Sequence, residues 1–362
     1  MNHEGDCTNM TKMKTFDRNY TIHEADLNKF DFTARELMRT ALGRGWTIEY
    51  SEAMPDNSIS GIAHCRKDGR EIVFRTDHTI LTPIYAYAAS ENKNLSTALF
   101  EKNCIPMPHS VTIPTIIDNT ELQAILCDFD AVVVKPLNTN HGKGITIGVR
   151  GLKSVREAIE FAKKSTSSKK YVLLQEQIIG AKEYRFLVLN NKVIAVAYRR
   201  PPFVVGDGER TIRELVDELN SDPRRDIGHK GVLTKIQLID IVKTNGEKFL
   251  EKIPKTGSHI DVLKTSNLSR GGIAEDFTNV ASDALKRTAI LAAKSCFLGL
   301  AGVDIMTRDI ENGDESNSYV IEANSAPGLR MHESPSIGEA QHVVGMIFDE
   351  LEKRALPTIV DA

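Results

Sequence analysis

Ala131-Val-Val-Val-Lys-Pro-Leu-Asn-Thr-Asn-His-Gly-Lys-Gly-Ile-Thr-Ile-Gly148 reads as strand, loop, strand. Val132 to Val134 are β-branched and consecutive, a pattern that favours a buried strand. Lys135 stands where that strand ends, and Pro136 closes it because proline cannot donate to a ladder. Gly142 and Gly144 flank Lys143. Glycines let a backbone approach a ligand closely and let N–H groups converge on an anion. Ile145 to Ile147 then resume the extended pattern. A hairpin with a cationic, glycine-bearing tip is one way to close a lid over phosphates. A surface hairpin with incidental lysines fits this stretch alone equally well, so the remainder of the chain decides.

The chain has 362 residues, enough for two or three folding units, and its 41% hydrophobic and 26% charged content is ordinary for a globular protein. Its 46 basic and 49 acidic residues give a net charge of −3, which offers no attraction for nucleic acid or an anionic membrane surface. Cys7, Cys65, Cys104, Cys127 and Cys296 are scattered, with no Cys-x-x-Cys pair. Neither a zinc site nor a disulfide framework is indicated, and a reducing compartment fits. Met1-Asn-His-Glu-Gly-Asp6 shows no secretory pattern and no apolar run reaches membrane-spanning length, so the expectation is a soluble, cytoplasmic protein.

Residues 1–18 are polar and expected to be loosely held. Phe32 to Gly43 predicts a helix, Trp46 to Tyr50 a strand, and Ile59 to Arg66 with Arg70 to Arg75 a hairpin across Lys67-Asp-Gly69. Helices are predicted over 94–102 and 118–127. After the opening hairpin come an amphipathic helix over 154–164 and an apolar strand from Tyr171 to Leu174. Glu183 to Leu189 and Lys192 to Ala197 predict a hairpin around Asn190-Asn191. A helix over 211–220, a glycine-bearing mixed stretch over 222–280 and a helix over 282–297 follow. Strands over 302–307 and 319–323 and a closing helix over 337–354 complete the reading. Interspersed strands and helices indicate α/β or α+β architecture.

Asp304 lies in the strand Gly302-Val-Asp-Ile-Met306, and Glu322 and Asn324 end Tyr319-Val-Ile-Glu-Ala-Asn324. Positions 322 and 324 share a strand face, and an antiparallel neighbour brings Asp304 beside them. Two carboxylates and an amide oxygen are a hard ligand set suited to Mg²⁺ and bound phosphates. Ordinary acids at strand ends are the plainer alternative, but unpaired carboxylates are costly among valines and isoleucines. A Gly-x-x-x-x-Gly-Lys-Ser/Thr loop, a dinucleotide Gly-x-Gly-x-x-Gly and the His-Arg-Asp and Asp-Phe-Gly pair of kinases are all missing.

Taken together, Val133-Val-Lys-Pro-Leu137, Asn140-His-Gly-Lys-Gly144, Glu183-Tyr-Arg185, Val204-Val-Gly-Asp-Gly208, Asp222-Pro-Arg-Arg225, Val232-Leu-Thr-Lys235, Asn267-Leu-Ser269 with Gly271-Gly272, Gly302-Val-Asp304 and Glu322-Ala-Asn-Ser-Ala-Pro-Gly-Leu-Arg-Met-His332 resemble the ATP-grasp superfamily of carboxylate–amine ligases. Within it the motifs look most like the ATP-grasp region of cyanophycin synthetase and the ligase half of bifunctional glutathione synthetase. The resemblance covers roughly residues 85–350, and the first 80 residues match poorly. It implies an α+β ATP-grasp fold: a small N-terminal α/β unit over 19–110, a mobile lid over 111–180 and a larger antiparallel-sheet body over 181–362.

The resemblance also implies roles. Lys135 falls on the lysine of the α/β phosphates, and His141, Gly142, Lys143 and Gly144 on the glycine-rich lid loop. Glu176 and Gln177 fall at the adenine hinge, and Glu183 on the ribose carboxylate. Asp304, Glu322 and Asn324 fall on the magnesium ligands, with manganese able to replace magnesium. Arg330 falls where a substrate carboxylate or the transferred phosphate is held. Arg185, Arg200 and Arg270 are weaker candidates for carboxylate recognition, and surface arginines equally. Where the family has an earlier phosphate lysine the sequence has Thr97, so nucleotide affinity leans on Lys93 or Lys143, or the alignment slips. Ser269-Arg-Gly-Gly272 replaces a Ser-Thr-Gly-Gly turn. The implied activity is an ATP-dependent, ADP-forming ligase making one type of amide bond from an amino acid or short peptide through an acyl phosphate. The implied partners are those small molecules, neither nucleic acid nor membrane, with a homo-oligomer allowed. A nucleotide-binding regulator, and a ligase adding amino acids to a protein, are the rival readings.

Overall fold

The computed structural model describes residues 19–52, 61–75, 78–139, 143–166, 169–226 and 233–358. β1 (Asn19–Thr21), β2 (Thr47–Glu52), β3 (Gly61–Lys67), β4 (Arg70–Arg75) and β5 (His78–Thr79) pair antiparallel in succession. Between β1 and β2 runs α1 (Phe32–Gly43), started by Asp31, whose carboxylate accepts from the Ala34 N–H. Such a cap satisfies a donor that the first helical turn leaves open. Two helices follow, α2 (Ile84–Glu91) and α3 (Lys93–Lys102). Sequence periodicity did not reveal α2, because it buries only Ala86 and Ala89 and leaves Ile84 and Tyr85 exposed.

The next unit is built from β6 (Ser110–Pro114), α4 (Asn119–Leu126), β7 (Val132–Pro136), β8 (Thr146–Val149), α5 (Leu152–Lys164) and β9 (Tyr171–Glu176). Its strands lie in the order β6-β9-β7-β8. β7 and β8 are the opening hairpin, with Val132 opposite Val149 and Val134 opposite Thr146. Strand β6 went unread because its residues, Ser110-Val-Thr-Ile-Pro114, offer one buried position. Ile113, Leu122, Val134, Val155, Ile159 and Leu174 form a core belonging to this unit alone. A unit with its own core can shift as a body without exposing another's apolar surface.

β10 (Lys182–Leu189) and β11 (Lys192–Arg200) form the predicted hairpin, turned by Asn190 and Asn191 at φ +42° and +69°. Asparagine tolerates that left-handed region better than most residues. A smaller lobe follows, with β12 (Phe203–Val205), α6 (Ile212–Asn220), β13 (Arg225–Asp226), β14 (Leu233–Thr234), α7 (Leu238–Asn245) and β15 (His259–Asp261). Thr211 and Glu214 close a reciprocal capping box on α6. The chain then returns through β16 (Ile273–Asp276), α8 (Asp283–Ser295), β17 (Leu300–Thr307) and β18 (Ser318–Asn324) to complete the central sheet, β16-β11-β10-β17-β18, antiparallel at each of its pairings. One face of that sheet, with Tyr184, Phe186, Val196, Val303, Ile305 and Val320, packs on Leu285, Ala289 and Ala293 of α8. Burying Phe186 fully contributes about 1.5–3 kcal/mol.

α9 (Arg330–Glu333), α10 (Val343–Lys353) and β19 (Leu356–Pro357) end the described chain, and β19 pairs with β4 at the edge of the first sheet. The closing helix is shorter than the predicted 337–354. Ile337 instead bridges to Glu275, Gly338 takes φ +92° and His342 takes φ +49°, so helix begins only at Val343. Val344, Ile347 and Phe348 of α10 share a core with Leu37, Trp46 and Phe74 of the N-terminal unit and with Leu187, Leu189 and Leu300 of the central sheet. The N-terminal unit is thereby fastened to one end of that sheet.

Gly144 closes the lid hairpin at φ +78°, where an added Cβ would come 2.5 Å from the Ser165 Cβ and 2.8 Å from the Pro136 Cγ. Gly144→Ala is expected to destabilise the hairpin by about 1–3 kcal/mol. Amide hydrogen exchange checks this: the β7–β8 amides should exchange faster in the variant while those of the central sheet keep their wild-type protection.

Candidate functional site

The face of the central sheet away from α8 is charged. Ladder register sets Arg185 opposite Asp304, Asp304 opposite Glu322, and Gly302 opposite Asn324. A bulge beside Asp304, where Ile305 pairs with Val320, lets Val320 enter the apolar face while Glu322 points to the charged one. Strict alternation would have put positions 320 and 322 on the same face, and a bulge re-aims one of them.

Asp304 is 2% exposed. Arg185 closes a fork on it, Nε donating to Oδ1 and Nη2 to Oδ2, the second at 2.7 Å. Nη2 of Arg199 donates to Glu183 Oε1 at 2.5 Å and reaches Asp304 Oδ2 at 3.3 Å. Gly302 makes room for the fork: a Cβ there would lie 2.9 Å from both Cδ and Nη1 of Arg185. Nδ2 of Asn324 donates to Glu322 Oε1 at 3.0 Å and to the Gly302 carbonyl at 3.2 Å. Burial by itself would push the Asp304 carboxyl up, but Arg185 and Arg199 outweigh it and hold it below the usual range. Glu183 moves the other way, raised by burial and by the charge of Asp304 against the pull of Arg199.

Lys135 comes from the lid. Its Nζ donates to Gln175 Oε1 at 2.5 Å. Burial lowers its ammonium, while the charges of Glu322 and Glu183, and more weakly Asp304, favour the charged form. The two halves read separately in the sequence therefore face each other. Lys93 adds positive charge to the same place, and its Nζ donates to the Thr139 carbonyl at 2.7 Å, just after β7. Of the cations considered for the position left by Thr97, Lys93 is the one that reaches Lys135. Lys143 is exposed, and Gly144 is buried beneath the hairpin. His141 and Gly142 lie outside the described residues.

α9 lies on the charged face, where Met331 packs against Ala197 and Ala274. This buries Arg330, 8% exposed, and His332, 2% exposed. Neither ring nitrogen of His332 has a hydrogen-bond partner. Burial, then Arg185 and Arg199, push its imidazole down to about 3 against Asp304.

Several expectations change. Arg185 offers no free fork to a substrate carboxylate, because Asp304 occupies it. Arg200 falls on the opposite side of β11 from Arg199 and stacks on the Phe203 ring at 4.0 Å. Arg270 is half-exposed and pairs with Asp240 at 3.2 Å. Arg199 was missed, although it lies two residues from Ala197, which pairs with Arg185, and strand alternation carries that signal. Glu176 and Gln177 sit at the base of the lid, where their N–H groups donate to the carbonyls of His109 and Ala131 at 2.8 and 3.0 Å. Contact with an adenine there has to use other groups.

Among the described residues no three His, Cys, Asp or Glu side chains gather as a self-sufficient metal centre. Asp304, Glu322 and Asn324 nonetheless fit a hard cation. They offer oxygen donors from adjacent ladder positions, and the raised Glu183 carboxyl marks a cluster short of positive charge. Such a cation would take its remaining ligands from phosphates and water.

Residues 260–347 match the RimK-like ATP-grasp domain. The chain belongs to the ATP-grasp superfamily. It is 37% identical over 261 residues to the cyanophycin synthetase of a Synechocystis strain, covering 70% of this chain and 29% of that protein. It is 35% identical over 268 residues to a bifunctional glutathione biosynthesis protein of Clostridium perfringens, covering 72% and 34%. The chain thus spans about a third of the length of these curated relatives. The crystal structure of a bifunctional glutathione synthetase from Pasteurella multocida superposes with a TM-score of 0.70 at 25% identity, covering 91% of this chain and 45% of that one. At that coverage the likeness to this structure extends into the first 80 residues, where motifs had matched poorly.

Arg185→Leu leaves a buried carboxylate short of its main partner and should cost about 3–5 kcal/mol at pH 7. Asp304, held below the usual carboxylate value of 3.8, contributes stability above that value and loses it as pH falls through the lower folded value. The deficit of Arg185→Leu in urea unfolding should therefore shrink below about pH 4. His332 runs oppositely to a paired histidine. Unfolded, it takes a proton below 6.5, while in the fold it resists until about 3. Stability should fall as pH drops between those values, by up to about 1.4 kcal/mol per unit, and His332→Leu should flatten that slope in the same titration.

Proposed function

We propose that this chain is an ATP-dependent, ADP-forming ligase that joins the carboxylate of an amino acid or short peptide to an amine through an acyl phosphate. The observation that carries the reading is Lys135, buried in the lid and set against the charges of Glu322, Glu183 and Asp304. A cationic lid over an acidic sheet suits a nucleoside triphosphate gripped from two sides.

In this reading Lys135 and Lys93 balance the phosphate charge. His141, Gly142, Lys143 and Gly144 are the residues that meet the phosphates. Glu176 and Gln177 border the adenine, and Glu183 takes the ribose. Asp304, Glu322 and Asn324 hold Mg²⁺, with Mn²⁺ able to replace it. A cation held there would draw negative charge off a transferring phosphoryl group. Arg185 and Arg199 keep Asp304 ionised and aimed. Arg330, at the start of α9, meets the negative charge of the substrate carboxylate or the departing phosphate. The closed lid keeps water from the acyl phosphate, which is why no side-chain nucleophile is needed. No helix of the described residues is long and apolar enough to cross a membrane, and we place the enzyme in the cytoplasm, acting on small molecules.

Phosphate release from ATP, screened against pairs of amino acids and dipeptides, tests this. Release should require the amine, and Glu322→Gln or Asn324→Ala should cut it by about 100-fold or more while far-UV circular dichroism stays unchanged. Full turnover in either variant sinks the metal assignment. Nucleotide binding with no amine-dependent turnover across the screen favours a regulator instead.

A further inference from the structure

Between β12, α6, β13 and the start of β16 lies a cavity of about 510 Å³. Leu215, Leu219, Leu233, Ile273 and Ile337 give it apolar walls. Arg225 also lines it and is 7% exposed. One end of that guanidinium is fixed, Nη1 donating to the Thr234 carbonyl at 2.6 Å. Its Nε is buried without a hydrogen-bond partner. Burial lowers the guanidinium, Asp222 opposes this, and Arg224 reinforces it.

A buried donor left unsatisfied costs about 1–3 kcal/mol, more where the group is charged. Arginine cannot escape that cost by losing its proton. Nearby acids are turned to other partners: Asp222 accepts from Nε and Nη2 of Arg224, and Glu218 pairs with Arg210 at 3.0 Å. An apolar chamber in the size range of small-molecule pockets, with one buried cation aimed into it, suits a ligand having an apolar body and an anionic end. One orphan N–H beside one cation suits a carboxylate. Leu233 and Ser336 border this cavity and also the small void lined by Arg330, Met331 and Gly272. The chamber thus adjoins the charged face of the central sheet without being part of it.

We infer that the Arg225 cavity is a substrate pocket for the carboxylate-bearing, apolar end of an elongated amine substrate, whose other end passes Ser336 and Arg330 toward Asp304. The direction of the ligand rests on the ligase reading; the chemistry of the pocket does not. Specificity for the amine partner is then set by the lobe between β12 and β15, away from the nucleotide.

Isothermal titration of the whole chain tests it with N-acetyl-leucine as probe. N-acetyl-leucinamide and inorganic phosphate serve as comparators, each with and without Mg–ADP. The acid should bind once per chain, and both comparators at least tenfold more weakly. Val205 is 45% exposed on the cavity rim, so Val205→Trp fills the entrance without touching the core. It should weaken the acid at least tenfold and leave Mg–ADP affinity unchanged. Arg225→Lys, confirmed folded by circular dichroism, should weaken the acid and not the amide. Equal binding of acid and amide, phosphate binding as tightly as the acid, no acid binding in either nucleotide state, or full acid binding in Val205→Trp overturns the pocket. A failure to find amine-dependent turnover would leave these binding results standing, so the two readings fail separately.

Discussion

Asp304 is 2% exposed, and Arg185, closing a two-point fork on it, with Arg199 beside it, holds its carboxyl below the usual range despite that burial. A buried carboxylate without such a partner would take up a proton or unfold its surroundings. Much of the site's geometry follows from meeting that demand. Gly302 is a glycine because the arginine lies over it. Arg199 reaches both Glu183 and Asp304 through one nitrogen, Nη2, which ties the two carboxylates together. His332 stays neutral beside two guanidiniums. The pairing is also what makes the face usable: a carboxylate kept ionised and immobile can meet a cation without reorganising.

The same strands separate two incompatible solvents. Tyr184 and Phe186 bury their rings against α8, while Glu183 and Arg185, alternating with them, carry charge to the other side. The β10–β11 hairpin, its Asn190-Asn191 turn and the strands carrying Asp304 and Glu322 were plain in the sequence. The bulge beside Asp304 was not, because a bulge is a property of two strands in register. Arg185 was underestimated for a related reason: a lone arginine in a strand says nothing of the carboxylate opposite. Helix α2 and strand β6 escaped because each buries too few positions to set a period. The start of the closing helix escaped because left-handed backbone at Gly338 and His342 overrides an otherwise helical composition.

Thr97 left an open question about where positive charge comes from, and α3 brings one cation, Lys93, to act on Lys135. Asn92 caps that helix, accepting from the Asn94 and Leu95 N–H groups. The cap puts Lys93 at the first turn, with its N–H donating to the Leu137 carbonyl and its Nζ to the Thr139 carbonyl. Lys93 thus stitches the N-terminal unit to the segment leaving β7, and does so beside Lys135. Motif matching by position would have searched one turn further along the helix.

Charge balance explains why the lid and the sheet need something between them. Glu183, Asp304 and Glu322 stand against Arg185 and Arg199, and Lys135 faces them at the cost of its own burial. Burial lowers Lys135 even as Glu322 and Glu183 favour its charge, and Glu183 is raised despite Arg199. Each side is therefore charged, desolvated and imperfectly compensated by the other. Polyphosphate would satisfy the lysines, and a divalent cation would satisfy the acids. A ligand carrying both would relieve the two strains together.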